Sequence, residues 1–356
     1  MAKRITVVVS QGQSQSPAKR GMEEDIVAAL LMENGIDVVL IPHLYDLKPD
    51  GTGMLALQGI SGNMIVLSWL YERAAHWILD RNSIYGHVGE TLICRDDGDE
   101  EEDLEDEIGD DDKDRVIDAR ETPNRKIYCI DLRIEGSAQT YIDEVKRIAT
   151  ENSTQVVELM SWIGGLPKPQ QTEQYLNPAV QAPKPDGNGQ AKDDQNRQAT
   201  VVDEQAARRW YPVIDFGRCT NCMECIDFCL FGVYGVDAVE TILVEQPDNC
   251  RKGCPACSRV CPENAIIFPQ HKTPAIAGAA DVSAGLKIDL SQLFGAPEVG
   301  KMAVEMAVAE RDQQLVLAGC DEVGTSVGVP KRREMLPSQP KDDLDDLIDQ
   351  LDELDL

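Results

Sequence analysis

The spacing of the cysteines constrains this chain more than any other feature. Eight of the 11 cysteines in the 356-residue sequence fall between residues 219 and 261. They form two groups, C-x2-C-x2-C-x3-C from Cys219 to Cys229 and C-x3-C-x2-C-x3-C-P from Cys250 to Pro262. The sequence starts with too short an apolar stretch for a signal peptide, which favours a cytoplasmic protein. Because thiols stay reduced in the cytoplasm, we expect the groups to bind metal rather than to form disulfides.

Each cysteine group has a spacing that suits an iron–sulfur cluster. A [4Fe–4S] cubane needs one thiolate for each of its four irons. Three cysteines two or three residues apart can wrap one cluster, whereas the fourth points away and can bind the other cluster. Zinc is the alternative, but two C-x2-C pairs separated by a longer stretch are more typical of zinc sites. The predicted sets are Cys219, Cys222, Cys225 and Cys261 for cluster 1, and Cys229, Cys250, Cys254 and Cys257 for cluster 2.

The two cysteine groups also form an internal repeat. Residues 213–219 align with residues 244–250, and each half is predicted as strand, cysteine loop, short helix and strand. Residues 209–270 resemble a bacterial-type ferredoxin domain with two [4Fe–4S] clusters, and we set this domain at 208–272. The resemblance implies a small α+β ferredoxin-like fold with pseudo-twofold symmetry and single-electron transfer at low potential. The apolar residues expected to pack around the clusters are Ile214, Phe216, Val233, Ile266 and Ile267.

Two positions depart from the ferredoxin pattern. Three residues separate Cys250 from Cys254 where the family has two, which leaves open a [3Fe–4S] form of the second cluster. Leu230 stands where the family usually has proline, and this change is expected to alter only a turn. The 20 residues between Cys229 and Cys250 also predict an added loop.

The first part of the chain alternates strand patterns with helix patterns. This alternation predicts an α/β domain with a parallel sheet, flavodoxin-like or similar, over residues 1–166. The run 96–114, which holds 14 Asp/Glu and one Lys, is interpreted as a surface insertion in this domain. The predicted strands are 5–10, 36–42, 64–70 and 127–132. The predicted helices are 17–34, a helix that follows the third strand and ends at about residue 82, 137–150 and 153–163.

The loop after the first strand is the candidate ligand site of this domain. Ser10, Ser14 and Ser16 surround a helix start, where α/β folds bind phosphate, and Ser16 is also a predicted helix cap. The chain has neither G-x-G-x-x-G nor a Walker motif, so we expect a docking module without flavin. The four histidines, His43, His76, His87 and His271, lack metal-ligand spacing. We expect them to have surface or structural roles, although His43 and His87 could line the loop edge of the sheet. Cys94, Cys129 and Cys320 are isolated, and Cys129 is predicted to be a small core residue.

The remaining segments are predicted to be connections and a tail. Residues 167–207 are Pro- and Gln-rich and indicate a flexible linker. Residues 273–340 are expected to be loose, with one helix from about 297 to 317. Residues 341–356 form an acidic amphipathic pattern whose leucine face needs a protein groove.

The net charge of −29 limits the partners that this chain can have. It argues against nucleic acid and anionic membranes, and it favours a redox protein with a basic docking face. No apolar run is long enough for a transmembrane helix. The leading hypothesis is therefore a ferredoxin-type electron carrier that is not itself an enzyme. Two alternatives are an oxidoreductase subunit whose first domain binds flavin or a small substrate, and a docking or assembly protein with structural clusters.

Overall fold

The computed structural model describes residues 4–93, 114–152, 198–205, 207–279 and 299–328. These residues belong to two compact units. The first unit contains 4–93, 122–152 and the short stretch around Thr200, and the second contains 114–121, 208–279 and 299–328. Within these ranges, no helix combines the length and the apolar character needed to cross a membrane.

The first unit is built on a six-stranded sheet whose neighbouring strands are all parallel. The strand order is β4-β5-β3-β1-β2-β6. The central strands are mostly apolar and mostly buried, because helices cover both faces of a parallel sheet. The predicted α/β domain with a parallel sheet is thereby confirmed. The strands are β1 (Ile5–Ser10), β2 (Ile36–Ile41), β3 (Met64–Ser68), β4 (His87–Val88), β5 (Lys126–Asp131) and β6 (Thr200–Val201).

Four helices flank this sheet: α1 (Pro17–Leu31), α2 (Thr52–Gln58), α3 (Glu72–Arg81) and α4 (Ala138–Asn152). Side chains alternate between the two faces of a strand. Val7 and Val9 therefore share one core cluster with residues of α1 and α4. Cys129 lies on the other face, with α3 against β5. The carboxyl ends of β1, β2, β3 and β5 lie at one edge of the sheet, where parallel α/β folds bind ligands.

The linker predicted over 167–207 contains an element of the first unit. Thr200 and Val201 form β6 beside β2, although the surrounding sequence is polar. Glu204 then reaches residues more than 150 positions away: its carboxylate accepts hydrogen bonds from the backbone N–H of Gly53 (2.7 Å) and of Lys48 (3.4 Å) at the start of α2. Residues 153–197, with the predicted helix 153–163, lie outside the described residues.

The second unit contains the two predicted halves of the internal repeat, one after the other along the chain. The first half is β7 (Val213–Ile214), α5 (Glu224–Phe228) and β8 (Tyr234–Val236). The second half is β9 (Ile242–Val244), α6 (Ala256–Val260) and β10 (Ile266–Ile267). β7 pairs antiparallel with β10, and β8 pairs antiparallel with β9, so each strand pair joins one half to the other. The apolar residues predicted to pack inside, Ile214, Phe216, Val233, Ile266 and Ile267, are all buried.

Two further segments belong to the second unit. After α7 (Pro274–Ala277), α8 (Val299–Leu317) packs against α6, and an ion pair joins Arg259 to Glu310 (2.9 Å). A 3-10 turn, Val116–Ala119, binds beside β7: Val116 N–H donates to the Cys219 carbonyl (2.9 Å). The acidic insertion 96–114 is predicted in the first domain, whereas the segment that follows it groups with the second unit. Residues 94–113, including Cys94, and the tail 341–356 lie outside the described residues.

Candidate metal centres

The structure brings the first predicted set of cysteines together around one recess. Cys219, Cys222, Cys225 and Cys261 all line this recess, which we call recess 1. The first three side chains come from the loop before α5 and from α5 itself, whereas Cys261 follows α6 in the other half. The cysteine spacing predicts the same four residues for cluster 1.

Two left-handed residues let the loop wrap around recess 1. Asn221 has a φ of +58° and Met223 a φ of +66°. Asparagine tolerates this region better than most residues with a side chain. The Asn221 side chain also accepts a hydrogen bond from Ile242 N–H and donates one to the Glu240 carbonyl, each 2.9 Å long. These two bonds tie the cysteine loop to the hairpin between β8 and β9.

The second predicted set lines a separate recess, which we call recess 2. Cys229, Cys250, Cys254 and Cys257 all line this second recess. Across the described ranges, no three His, Cys, Asp or Glu side chains stand in position to bind one metal ion. The thiols of each set are instead spread around a recess. That they bind clusters stays a prediction.

The additional residue between Cys250 and Cys254 forms part of an exposed turn. Cys254 N–H donates to the Arg251 carbonyl (3.0 Å), and Gly253 has a φ of +85°, a conformation that glycine adopts without strain. Arg251, Lys252 and Gly253 are all exposed. The chain therefore accommodates the longer spacing at the surface while Cys250 still lines recess 2. Leu230, the other departure, lies in a turn and is 39% exposed.

Burial raises the pKa of most of the thiols in these recesses. It raises the pKa of Cys219 and of Cys254 to about 11, and it raises the pKa of Cys225 and Cys250 further, where neighbouring cysteines add to the effect. Thiolates are the form that binds metal, so a metal must displace these protons. Protonated thiols are therefore expected at neutral pH until a cation binds. Burial likewise raises the pKa of Cys229, Cys257 and Cys261.

Hydrogen bonds point at the sulfur atoms of both recesses. Asn221 N–H donates to Cys219 Sγ (3.4 Å), and Ala265 N–H donates to Cys261 Sγ (3.3 Å). In recess 2, the buried Tyr234 hydroxyl donates to Cys257 Sγ (3.1 Å). Donors of this kind stabilise negative charge on sulfur and are one means by which proteins set cluster potentials. The cysteine spacing alone did not point to Tyr234.

A buried arginine of α8 also lines recess 2, and sequence reasoning missed it. Arg311 is 1% exposed, and its guanidinium stacks on the Phe228 ring at 4.6 Å. It donates hydrogen bonds to the Gly324 carbonyl (2.6 Å), the Val327 carbonyl (2.9 Å) and Asp312 Oδ1 (3.2 Å). Fifty residues separate Arg311 from the last cysteine of the motif, so no local pattern could have indicated it.

The candidate ligand loop of the first unit is occupied by its own side chains. The Glu23 carboxylate, 2% exposed, accepts hydrogen bonds from Gly12 N–H and from the Trp69 indole N–H, both 2.7 Å, and from Arg20 (3.0 Å). Ser10 Oγ accepts Leu44 N–H (2.8 Å). An internal carboxylate thus takes the donors that a phosphate would need.

Ser14 and Ser16, the other two serines of this loop, differ in their hydrogen bonds. Ser14 Oγ accepts the backbone N–H of Ser16 (3.2 Å). Ser16 precedes α1 as expected, but the predicted side-chain cap is wrong, since its hydroxyl makes no capping bond. Its backbone carbonyl contributes instead, accepting the N–H of Arg20 (3.1 Å).

The histidines and isolated cysteines are spread over the molecule. His43 follows β2 at the carboxyl edge of the sheet, beside Gln13 and Asp46. His87 is exposed, in line with a surface role, and it lies away from this edge because β4 pairs with the amino end of β5. His76 is buried against Trp77, and His271 accepts the N–H of Thr273. Cys129 is buried in β5, as predicted for a core residue, and Cys320 is exposed.

Comparison with known proteins gives one informative match. The chain is 50% identical over 66 residues to an uncharacterised ferredoxin of Methanocaldococcus jannaschii. The chain contains a ferredoxin-like region. The match covers 18% of this chain and 44% of the relative, so the chain spans less than half of that protein's length. No family model matches the chain, and no solved structure matches it.

Proposed function

We propose that the second unit transfers single electrons through two [4Fe–4S] clusters. The observation that carries this proposal is the division of eight thiols between two separate recesses, in the sets that the spacing predicts. Four thiolates around one recess are the donor set that a cubane requires. The ferredoxin-like region supports the same assignment. Cysteines 219, 222, 225 and 261 would hold cluster 1, and cysteines 229, 250, 254 and 257 would hold cluster 2.

The protein residues would hold the clusters and set their potentials. When bound, each cluster accepts and releases one electron. The thiols supply the ligands, the apolar residues around them exclude water, and the donors to Cys219, Cys261 and Cys257 stabilise charge on sulfur. Electron transfer of this kind breaks no covalent bond, so we propose a carrier or a tethered electron-transfer module rather than an enzyme.

We further propose a redox partner with a basic docking face. The charge of −29 favours such a partner, and Glu224 and Glu263 line recess 1. Recess 2 is lined by Arg251 and Arg311 instead, so the basic face would dock at recess 1. We place this activity in the cytoplasm, where low-potential carriers and reduced thiols are maintained.

The two alternatives receive less support. An oxidoreductase subunit with a flavin or phosphate in the first unit would need donors at the β1 loop, but Gly12 and Trp69 already donate to Glu23. A docking protein would use the acidic tail 341–356, which lies outside the described residues and therefore stays a prediction.

The experiment that tests the proposal is metal analysis of the anaerobically purified full chain. We expect about eight irons and eight sulfides per chain, with interacting cubane signals in the EPR spectrum of the dithionite-reduced protein. About seven irons would assign a [3Fe–4S] form to one recess, and about four would leave a single working cluster. Zinc without sulfide would overturn the proposal.

A further inference from the structure

The two recesses differ in the charges that line them. Recess 1 is lined by the carboxylates of Glu224 and Glu263, and none of the described residues that line it is basic. Recess 2 is lined by the guanidinium groups of Arg251 and Arg311, and none of its described lining residues is acidic. The repeat gives each recess four thiols, so the charge of the lining residues is a clear difference between the two recesses.

Arg311 dominates this difference because it is buried. Arg251 is exposed and stacks on Phe231 at the surface, so water screens its charge. Arg311 is 1% exposed, and its field acts through protein rather than water. Three hydrogen bonds and the Phe228 ring hold its guanidinium in place.

The acidic groups near recess 2 offset this charge only in part. Asp312 Oδ1 lies 3.2 Å from Arg311 Nε, but Asp312 does not line the recess, and its other oxygen accepts the Gly324 N–H (2.8 Å). Glu310 is paired with Arg259 at 2.9 Å. Of Arg311 and Asp312, only the guanidinium of Arg311 therefore lines recess 2.

We propose that Arg311 makes cluster 2 the electron acceptor of the pair, with a higher reduction potential than cluster 1. Reduction adds one negative charge to a cluster, so a buried cation beside it stabilises the reduced state, and carboxylates beside it destabilise that state. With both clusters bound, one electron would pass from cluster 1, which would become oxidised, to cluster 2, which would become reduced, without transfer of a proton or change of a covalent bond. This inference rests on the proposed function, since it requires two clusters.

The test is an EPR-monitored redox titration of the full chain, with dithionite as the electron donor. The wild-type protein should show two one-electron steps. Arg311→Gln should move the upper step down, changing the electron distribution between the clusters by at least about tenfold, or about 59 mV for a one-electron couple. Arg311→Lys keeps the charge and should restore most of the separation. Arg251→Gln removes the same charge from the surface of the same recess and should produce a smaller shift.

Two variants separate an electrostatic role from a structural one. Asp312→Asn removes the neighbouring carboxylate and should move the upper step up, the opposite direction to Arg311→Gln. Glu224→Gln should move the lower step up and leave the upper one unchanged. If Arg311→Gln lost iron, the directions of the potential shifts in Asp312→Asn and Glu224→Gln would still show whether nearby charges set the potentials as proposed.

The outcomes separate this inference from the proposed function. About four irons or fewer in the wild-type protein would mean that the two-cluster proposal itself has failed. Eight irons with coincident steps, a shift of the lower step in Arg311→Gln, or a downward shift in Asp312→Asn would overturn only the role of Arg311.

Discussion

The two units of this protein use their polar groups in opposite ways. At the carboxyl edge of the first unit's sheet, polar side chains bond to one another: Glu23 takes the loop donors, and Arg133 binds both oxygens of Asp131. In the second unit, eight thiols surround two recesses, and burial raises the pKa of most of them. In the function we propose, the second unit receives a charged group from outside the chain, whereas the polar groups of the first unit pair with one another.

This contrast supports the proposal that the chemistry of the chain lies in the second unit. A parallel α/β sheet normally binds its ligand at the strand carboxyl ends. In the first unit Gly12 and Trp69 approach closely, since a Cβ at Gly12 would lie 3.0 Å from the Trp69 ring. The side chains of this unit thus fill the space next to β1. We expect a substitution in either unit to leave the other unit unaffected.

The largest expected effect is the loss of one cluster in Cys225→Ser. Serine replaces a soft thiolate with a hydroxyl that binds iron poorly. We expect about four of eight irons to remain, as one cubane carries about four, with the first unit's stability unchanged. Iron and sulfide analysis measures this. Cys320→Ser, at an exposed cysteine outside both sets, is the control and should keep all the iron.

Full iron content in Cys225→Ser would show that Cys225 is not a ligand. Loss of all the iron would show that the two recesses do not bind their clusters independently, which would weaken the comparison between them.

A smaller effect is expected from Glu23→Ala in the first unit. The substitution leaves the buried Gly12 N–H and the partly buried Trp69 indole N–H without their acceptor and removes the partner of Arg20, whose side chain is 35% exposed. A buried donor left without an acceptor costs about 1–3 kcal/mol of unfolding free energy, whereas a partly exposed ion pair adds little. Urea unfolding followed by hydrogen-exchange mass spectrometry reads each unit separately. Iron content should not change.

Glu24→Ala is the matched control for Glu23→Ala, because Glu24 is the next residue of α1 and is exposed. It should change the unfolding free energy by no more than about 0.5 kcal/mol. Equal effects of the two substitutions would contradict the role assigned to the buried carboxylate.

The smallest effect is a pH dependence of the first unit. Burial, with the negative charge of Asp131 nearby, raises the pKa of Glu72 from 4.5 to about 7. Between these values the folded protein binds a proton that the unfolded chain has released, so the stability of this unit should fall as pH rises from 4.5 to about 7. Glu72→Gln should reduce this slope. Urea midpoints at several pH values, with exchange labelling at one fixed pH, measure it.

An unchanged slope in Glu72→Gln would assign the pH dependence to another group. A stability that rises over the same interval in the wild-type protein would contradict the expected direction of the effect.

Much of the fold follows from local sequence patterns. The strand predicted at 5–10 is β1, with the same limits, and the helix predicted from about 297 to 317 corresponds to α8. Both patterns depend on neighbouring residues, whose periodicity sets the element type. The sequence did not predict β6, because two residues in a polar stretch are too few to show a hydrophobic periodicity. They form a strand only through their backbone pairing with the edge of β2.

The candidate site likewise has one part that the sequence predicts and another that only the tertiary structure shows. The two sets of four cysteines follow from spacing, because residues two or three apart must share a loop and a residue one helical turn on must point elsewhere. The contacts of Val116 with Cys219, of Glu204 with Gly53 and of Arg311 with recess 2 join residues about 50 to 150 positions apart. Nothing in the spacing of nearby residues records such contacts. The cysteine sequence by itself thus determined which thiols come together, and only tertiary packing decided which charges surround them, because the field of a buried group depends on its position in space and not on its position along the chain.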